Sequence, residues 1–128
     1  MKQIDRYINE KLTVSAHHKL YNYFPENLTE LSKIIYDRVK MEGNNADLND
    51  IDVSKITSMS TLFTEAAFEF NGDISQWDVS NVTNMNGMFS STEFNGDISQ
   101  WNVSNVTNMN DIFYGSPLEK NPPKWYKK

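Results

Sequence analysis

From residue 47 onward the apolar residues keep one rhythm. It reads Ile74-x-x-Trp77-x-Val79-x-x-Val82-x-x-Met85-x-x-Met88-Phe89, and it returns as Ile98-x-x-Trp101-x-Val103-x-x-Val106-x-x-Met109-x-x-Ile112-Phe113. The polar residues between repeat as well. Phe70-Asn71-Gly72-Asp73-Ile74-Ser75-Gln76-Trp77 recurs as Phe94-Asn95-Gly96-Asp97-Ile98-Ser99-Gln100-Trp101, an offset of 24 residues. A weaker copy runs from Asp47 to Phe63 at an offset of 26, and a partial fourth closes the chain, with Leu118, Asn121 and Trp125 in the columns of Phe94, Asp97 and Trp101. A coil of this length cannot bury its own apolar face, so neighbouring copies have to stack.

The alternation Gln76-Trp77-Asp78-Val79-Ser80 predicts a short strand with Trp77 and Val79 inward and Gln76, Asp78 and Ser80 outward. The expected fold class is therefore an α+β repeat, a short leucine-rich-repeat-like solenoid with stacked parallel strands capped by N-terminal α-helices. Val82, Met85 and Met88, three apart, suit a 3₁₀ or irregular turn. The Asn-Gly pairs at 71–72 and 95–96 mark corners where positive φ is tolerated. Upstream, Leu28, Leu31, Ile35 and Val39 predict an amphipathic helix that starts at Asn27 with Glu30 and stops at Gly43, a lid on the first coil. Ile4, Tyr7, Ile8 and Leu12 predict an earlier helix beside it. The organisation is one compact domain, with a helical cap over 1–43 and the repeat solenoid over 44–128. Pro122, Pro123 and the terminal lysines blunt the last strand, whose edge remains a place for a second copy to pair as a homodimer.

Charge is distributed unevenly along the 128 residues, whose net is −5. Residues 44–118 hold ten acidic side chains against Lys55 alone, a net of −9, whereas the last ten residues carry +3. Such a field repels phosphate backbones and anionic lipid, so neither nucleic acid nor membrane is expected as a direct partner, and a protein with a basic surface is. The absence of Cys removes disulfides, thiolate metal sites and a cysteine nucleophile. The first residues show no apolar h-region and no stretch reaches the roughly 18 apolar residues of a membrane span. A cytoplasmic location is expected of the chain as given, or a surface or secreted one if a leader precedes it.

Candidate chemistry is sparse. His17 and His18 are the only histidines and, being adjacent, point to different helix faces, so they do not build a metal site or a triad base. Asp73 and Asp97 sit in Asn-Gly-Asp corners without the clustered carboxylates of a calcium loop; in such corners an Asp bonds nearby backbone N–H groups. Asn27-Leu28-Thr29, Asn81-Val82-Thr83 and Asn105-Val106-Thr107 match the glycosylation triplet, but the last two are copies of one structural unit and read as Asn and Thr columns bonded between coils. The repeats contain no His, Arg or Cys, so no catalysis, metal or cofactor is expected.

The blocks FNGDISQWDVSNVTNMNGMF and FNGDISQWNVSNVTNMNDIF closely resemble the repeat of about 25 residues of BspA-like bacterial surface proteins and mycoplasma lipoproteins, a branch of the leucine-rich-repeat class. The resemblance covers residues 44–118, and the segment from Phe24 to Leu48 is similar to the helical lead-in of that family. It implies an interaction scaffold, in many members a secreted adhesin, with no catalytic residues to carry over.

The expected function is a non-catalytic protein–protein interaction module. The candidate partner-binding row is Asp50, Asp52, Gln76, Asp78, Ser80, Gln100, Asn102 and Ser104, ending at Lys124 and Tyr126. The alternatives are an intracellular acidic inhibitor of a nucleic-acid-handling enzyme, of the anti-defence or immunity type, and a bacterial surface adhesin.

Overall fold

A computed structural model describes residues 20–127. The early helix expected around Ile4, Tyr7, Ile8 and Leu12, the pair His17 and His18, and Lys128 lie outside the described residues. Two α-helices are present among the described residues, α1 (Leu28–Glu42) and α2 (Leu62–Ala66), with a 3₁₀ turn over Pro117–Glu119. α1 starts where its cap is set: Asn27 Oδ1 accepts the Glu30 N–H at 2.9 Å, and Glu30 Oε1 reaches back to the Glu26 N–H at 2.9 Å. It ends at Gly43, whose φ of 94° takes the chain out of the helix while its N–H bonds Val39 O. Leu31 and Ile35 are fully buried from this helix, which packs against α2.

The expectation of stacked parallel strands is overturned. The described residues contain no strand, only four isolated parallel bridges: Tyr23 with Ile51, Asp47 with Asp73, Ser58 with Asn84, and Asn84 with Asn108. The reason is local. Three of the four apolar-x-x-apolar steps close as β-turns, in which the fourth residue donates to the carbonyl of the first: Trp77 to Ile74 (3.2 Å), Val82 to Val79 (3.0 Å) and Met88 to Met85 (3.2 Å), whereas at the Val82-x-x-Met85 step Met85 N–H goes to Asn108 O of the next repeat (2.8 Å). A polar residue before each turn ties up one more N–H, as Asp73 does for Ser75 (2.9 Å), Asp78 for Ser80 (3.1 Å) and Asn84 for Asn86 (2.9 Å). Backbone groups that a continuous ladder needs are spent inside the repeat, so the segment folds as three Asx-initiated turns rather than a strand. The neighbouring copies do the same at Asp47, Asp52 and Ser58, and at Asp97, Asn102 and Asn108. The C-terminal edge strand is absent too: Tyr126 N–H donates to Pro123 O, another turn.

The repeats nevertheless stack in the register of the sequence. Trp77 lies on Trp101 at 6.4 Å between ring centroids and 5° between planes, and Trp101 on Trp125 at 6.4 Å and 10°. Each indole reaches back across the stack, Trp77 Nε1 to Leu48 O (2.9 Å), Trp101 Nε1 to Ile74 O (3.1 Å) and Trp125 Nε1 to Ile98 O (2.7 Å). A second column runs Phe63, Phe89, Phe113 with centroids 5.3 and 5.9 Å apart, and Phe70 stacks on Phe94 at 6.0 Å. These rings, with the turn residues Val79, Val82, Met85 and Met88 at 0–1% exposure, make the core.

The Asn-Gly corners do not use positive φ as expected. Left-handed backbone falls instead on other columns: Thr61 (φ 53°), Gly87 (φ 62°) and Asp111 (φ 57°) in the three repeats, and Ser91 (φ 58°) with Gly115 (φ 74°) in the second and third. In the first of these columns, only the middle copy carries the residue that takes this conformation without strain, and an L-residue there costs about 1 kcal/mol. Asp111→Gly is therefore expected to raise stability by about 0.5–1 kcal/mol, seen as a few degrees in Tm. A lowered Tm would mean that the Asp111 side chain supports the turn.

Candidate interaction surface

The outward positions named from the sequence do not form a strand face; they sit on successive Asx turns. Gln76, Asp78, Gln100, Asn102, Ser104 and Lys124 are exposed, while Asp52 and Ser80 are half-buried. Asp52, Asp78 and Asn102 hold equivalent places in three repeats, each accepting from the N–H two residues on, at 3.0, 3.1 and 3.1 Å. Ser80 Oγ adds a bond to Asp78 Oδ1 at 2.6 Å. Lys124 precedes Trp125 and so lies in the register of Gln100, whereas Tyr126 turns to the core, its ring edge-on to Phe113 at 5.2 Å.

Asp50 has a different environment from the rest of the row. Its carboxylate accepts from Arg38 at 2.8 and 3.1 Å and from Asn22 Nδ2 at 2.8 Å. Arg38 also pairs with Glu42, donates to Asp47 O at 3.2 Å and lies over the Tyr23 ring at 5.1 Å. Burial of the guanidinium opposes its charge, but the hydrogen bonds and charges of Glu42 and Asp50 outweigh that and push its pKa further above the usual range. The sequence signal for this pair was an arginine inside the apolar stripe of α1, between Ile35 and Glu42. Asp50 thus fastens α1 to the first repeat.

A second row was missed as a surface. Asp47, Asp73 and Asp97 occupy the first turn of each repeat, five residues before Asp52, Asp78 and Asn102, and Asp47 bridges Asp73 directly. The repeated triplets Asp73-Ile74-Ser75 and Asp97-Ile98-Ser99 carry the same signal as Asp78-Val79-Ser80. Shallow depressions follow this row, one lined by Arg38, Asp47, Asn49, Asp73 and Gln76, the next by Asn45, Asn71, Asp73, Ser75 and Asp97. The Asp97 carboxyl is held below its ordinary range first by the Ser99 hydroxyl (2.7 Å) and then by the Ser99 N–H (2.9 Å), against opposition from the Asp73 charge. Its acid form is thereby disfavoured in the folded state, so the turn is strongest above the usual Asp pKa and weakens as pH falls through the depressed value. NMR titration is expected to show Asp97 ionising below an ordinary aspartate and moving up in Ser99→Ala; no movement would assign the shift elsewhere.

No group of three or more His, Cys, Asp or Glu able to hold a metal occurs among the described residues, and no described helix is long and apolar enough to cross a membrane. What the geometry offers is two rows of carboxylates and amides, each side chain oriented by its own turn, with Asp47, Asp73, Asp78 and Asp97 exposed and Asp52 half-buried. No curated protein and no solved structure matches this chain. A family profile described as Mycoplasma protein of unknown function, DUF285, does match, over residues 15–127, which takes in α1 and all the repeats. The chain belongs to that family.

Proposed function

We propose that this protein is a non-catalytic protein-binding module that presents its acidic turn rows, Asp47, Asp73 and Asp97 beside Asp52 and Asp78, to a basic surface on a partner. The observation that carries this reading is the fixing of repeated, solvent-facing carboxylates by their own Asx turns, in a body of net charge −9 over residues 44–118. Side chains already held in place lose little entropy on binding, and a one-signed row steers a basic partner. The finer kinship, to BspA-like bacterial surface repeats, belongs to the same proposal and is supported by the two blocks FNGDISQW at 70–77 and 94–101.

The variant D52N, D73N, D78N, D97N tests it with near-isosteric changes: Asn102 holds the turn equivalent to those of Asp52 and Asp78 with an amide, accepting the Ser104 N–H at 3.1 Å. Because the carboxylates of Asp73, Asp78 and Asp97 also accept the Ser75, Ser80 and Ser99 hydroxyls, a loss of up to about 1 kcal/mol per site is expected, with a cooperative unfolding transition retained. A partner captured from the cells that make the protein should bind the variant at least about tenfold more weakly and lose its salt dependence. Undiminished binding would remove the acidic rows from the interface. If the captured partner is a nucleic-acid-handling enzyme, loss of its activity in the complex would assign the protein as an inhibitor.

A further inference from the structure

Among the described residues the third repeat leaves a face of the stack uncovered, and the bonding pattern of that face is known from the two interfaces before it. In the first repeat, Ser54 O accepts Asn81 Nδ2 (2.7 Å) and Thr57 O accepts the Thr83 N–H (2.8 Å) and hydroxyl (3.2 Å). The Met59 and Thr61 N–H groups donate to Asn84 O and Asn86 O, both at 2.8 Å. The second repeat repeats this bond for bond: Ser80 O takes Asn105 Nδ2 (2.7 Å), Thr83 O takes Thr107, Met85 N–H reaches Asn108 O (2.8 Å) and Gly87 N–H reaches Asn110 O (2.9 Å). In the third repeat the same four groups, Ser104 O, Thr107 O, Met109 N–H and Asp111 N–H, have no partner among the described residues.

The side chains agree with the hydrogen bonds. Val79, Val82 and Met85 are 0–1% exposed, but their counterparts Val103, Val106 and Met109 are only half-buried. The C-terminal residues cover another part of the third repeat, Trp125 lying on Trp101 and Tyr126 on Phe113.

We propose that this face binds an extended peptide segment of another protein with the pattern Asn-x-Thr-Asn-x-Asn, x being apolar. The occupant is set by continuity: Asn81-Val82-Thr83-Asn84-Met85-Asn86 and Asn105-Val106-Thr107-Asn108-Met109-Asn110 fill the two preceding faces. The first Asn satisfies a carbonyl through its amide, the Thr satisfies the next, two backbone carbonyls take the two N–H groups, and the apolar residues cover Val106 and Met109. A second copy of the chain is not the occupant. Its two matching segments are engaged in its own stack, and the corresponding segment of its first repeat has Lys55 and Ser58 where Asn is needed. This surface is separate from the acidic rows and stands or falls without them.

The probe is the capped peptide Ser-Asn-Val-Thr-Asn-Met-Asn, the sequence of residues 104–110, added to the full ¹⁵N-labelled protein. Saturable shifts are expected at the Met109 and Asp111 amides, with slowed hydrogen exchange there and no change at Met85 or Gly87. The same peptide carrying N105A, T107A and N108A should bind at least about tenfold more weakly, which corresponds to about 1.4 kcal/mol. V106K in the protein should abolish the shifts. Silence of Met109 and Asp111 at about 10 mM peptide, well above a millimolar affinity, would overturn the proposal. So would equal binding of the alanine peptide, or a dimer in light scattering that V106K dissolves.

Discussion

Phe89→Ala is expected to cost about 3–5 kcal/mol, a large part of the roughly 5–15 kcal/mol available to a domain of this size. Phe89 has 0% exposure and stands where three columns meet. Its ring centroid is 4.6 Å from Phe94, 5.3 Å from Phe63, 5.9 Å from Phe113 and 6.2 Å from Trp101. The cavity left by truncation cannot collapse, because the backbone around it is pinned on both sides, Phe63 N–H to Met88 O and Phe89 N–H to Ile112 O. Urea denaturation followed by tryptophan fluorescence measures the loss. The control is Phe68→Ala, since Phe68 is 55% exposed and outside the ring columns, with an expected change of no more than about 0.5 kcal/mol. A loss below about 1 kcal/mol at Phe89 would mean that the rings are not a shared core.

Gly72→Ala should rival it, for a steric reason. A Cβ at Gly72 would lie 1.9 Å from Ala46 O, 2.9 Å from Ala46 C and 2.6 Å from Phe70 Cε1. The carbonyl cannot withdraw: it accepts the Asp73 N–H at 3.1 Å, and Leu48 N–H bonds Asp73 O at 3.0 Å on the same pair of segments. The equivalent Gly96→Ala meets mainly the tip of the Phe94 ring, at 2.6 and 2.8 Å, with Gly72 O no nearer than 3.4 Å. We expect about 3 kcal/mol or more at Gly72 and about 1–2 kcal/mol at Gly96. Equal losses at the two sites would show that the backbone contact is not what limits position 72.

Much of this architecture was legible in the sequence as repetition, and little of it as secondary structure. The register of the stack follows from Trp77, Trp101 and Trp125 at 24-residue intervals, and the inward and outward assignment of Trp77, Val79, Gln76 and Asp78 agrees with their burial. Period-two alternation describes which side a residue faces without distinguishing a strand from turns joined end to end. That distinction lies in Asp78-Val79-Ser80, where the Asp side chain captures a backbone N–H that a ladder would have used. The glycines were read for the wrong property: Gly72 is needed for close approach, while left-handed positions fall at Thr61, Gly87 and Asp111 and at Ser91 and Gly115, types too varied to reveal them by residue identity.

For the surface, the sequence located the Asp52, Asp78 and Asn102 row. It did not show that Asp50 is taken by Arg38, since a contact between a cap helix and a repeat twelve residues away leaves no periodic trace. The second row was hidden for the opposite reason. Asp73 and Asp97 were assigned to turns, correctly, and the exposed carboxyl of Asp97 uses only Oδ1 for its own turn.

Hydrogen exchange at the three indole N–H groups tests the stacking of repeats most directly, because each bonds to a carbonyl of the preceding copy and the chain has three tryptophans in all. Trp77 and Trp101, at 4% and 5% exposure, should exchange only through global unfolding, with half-buried Trp125 faster. Exchange of Trp77 and Trp101 at the rate of free indole would contradict the stack.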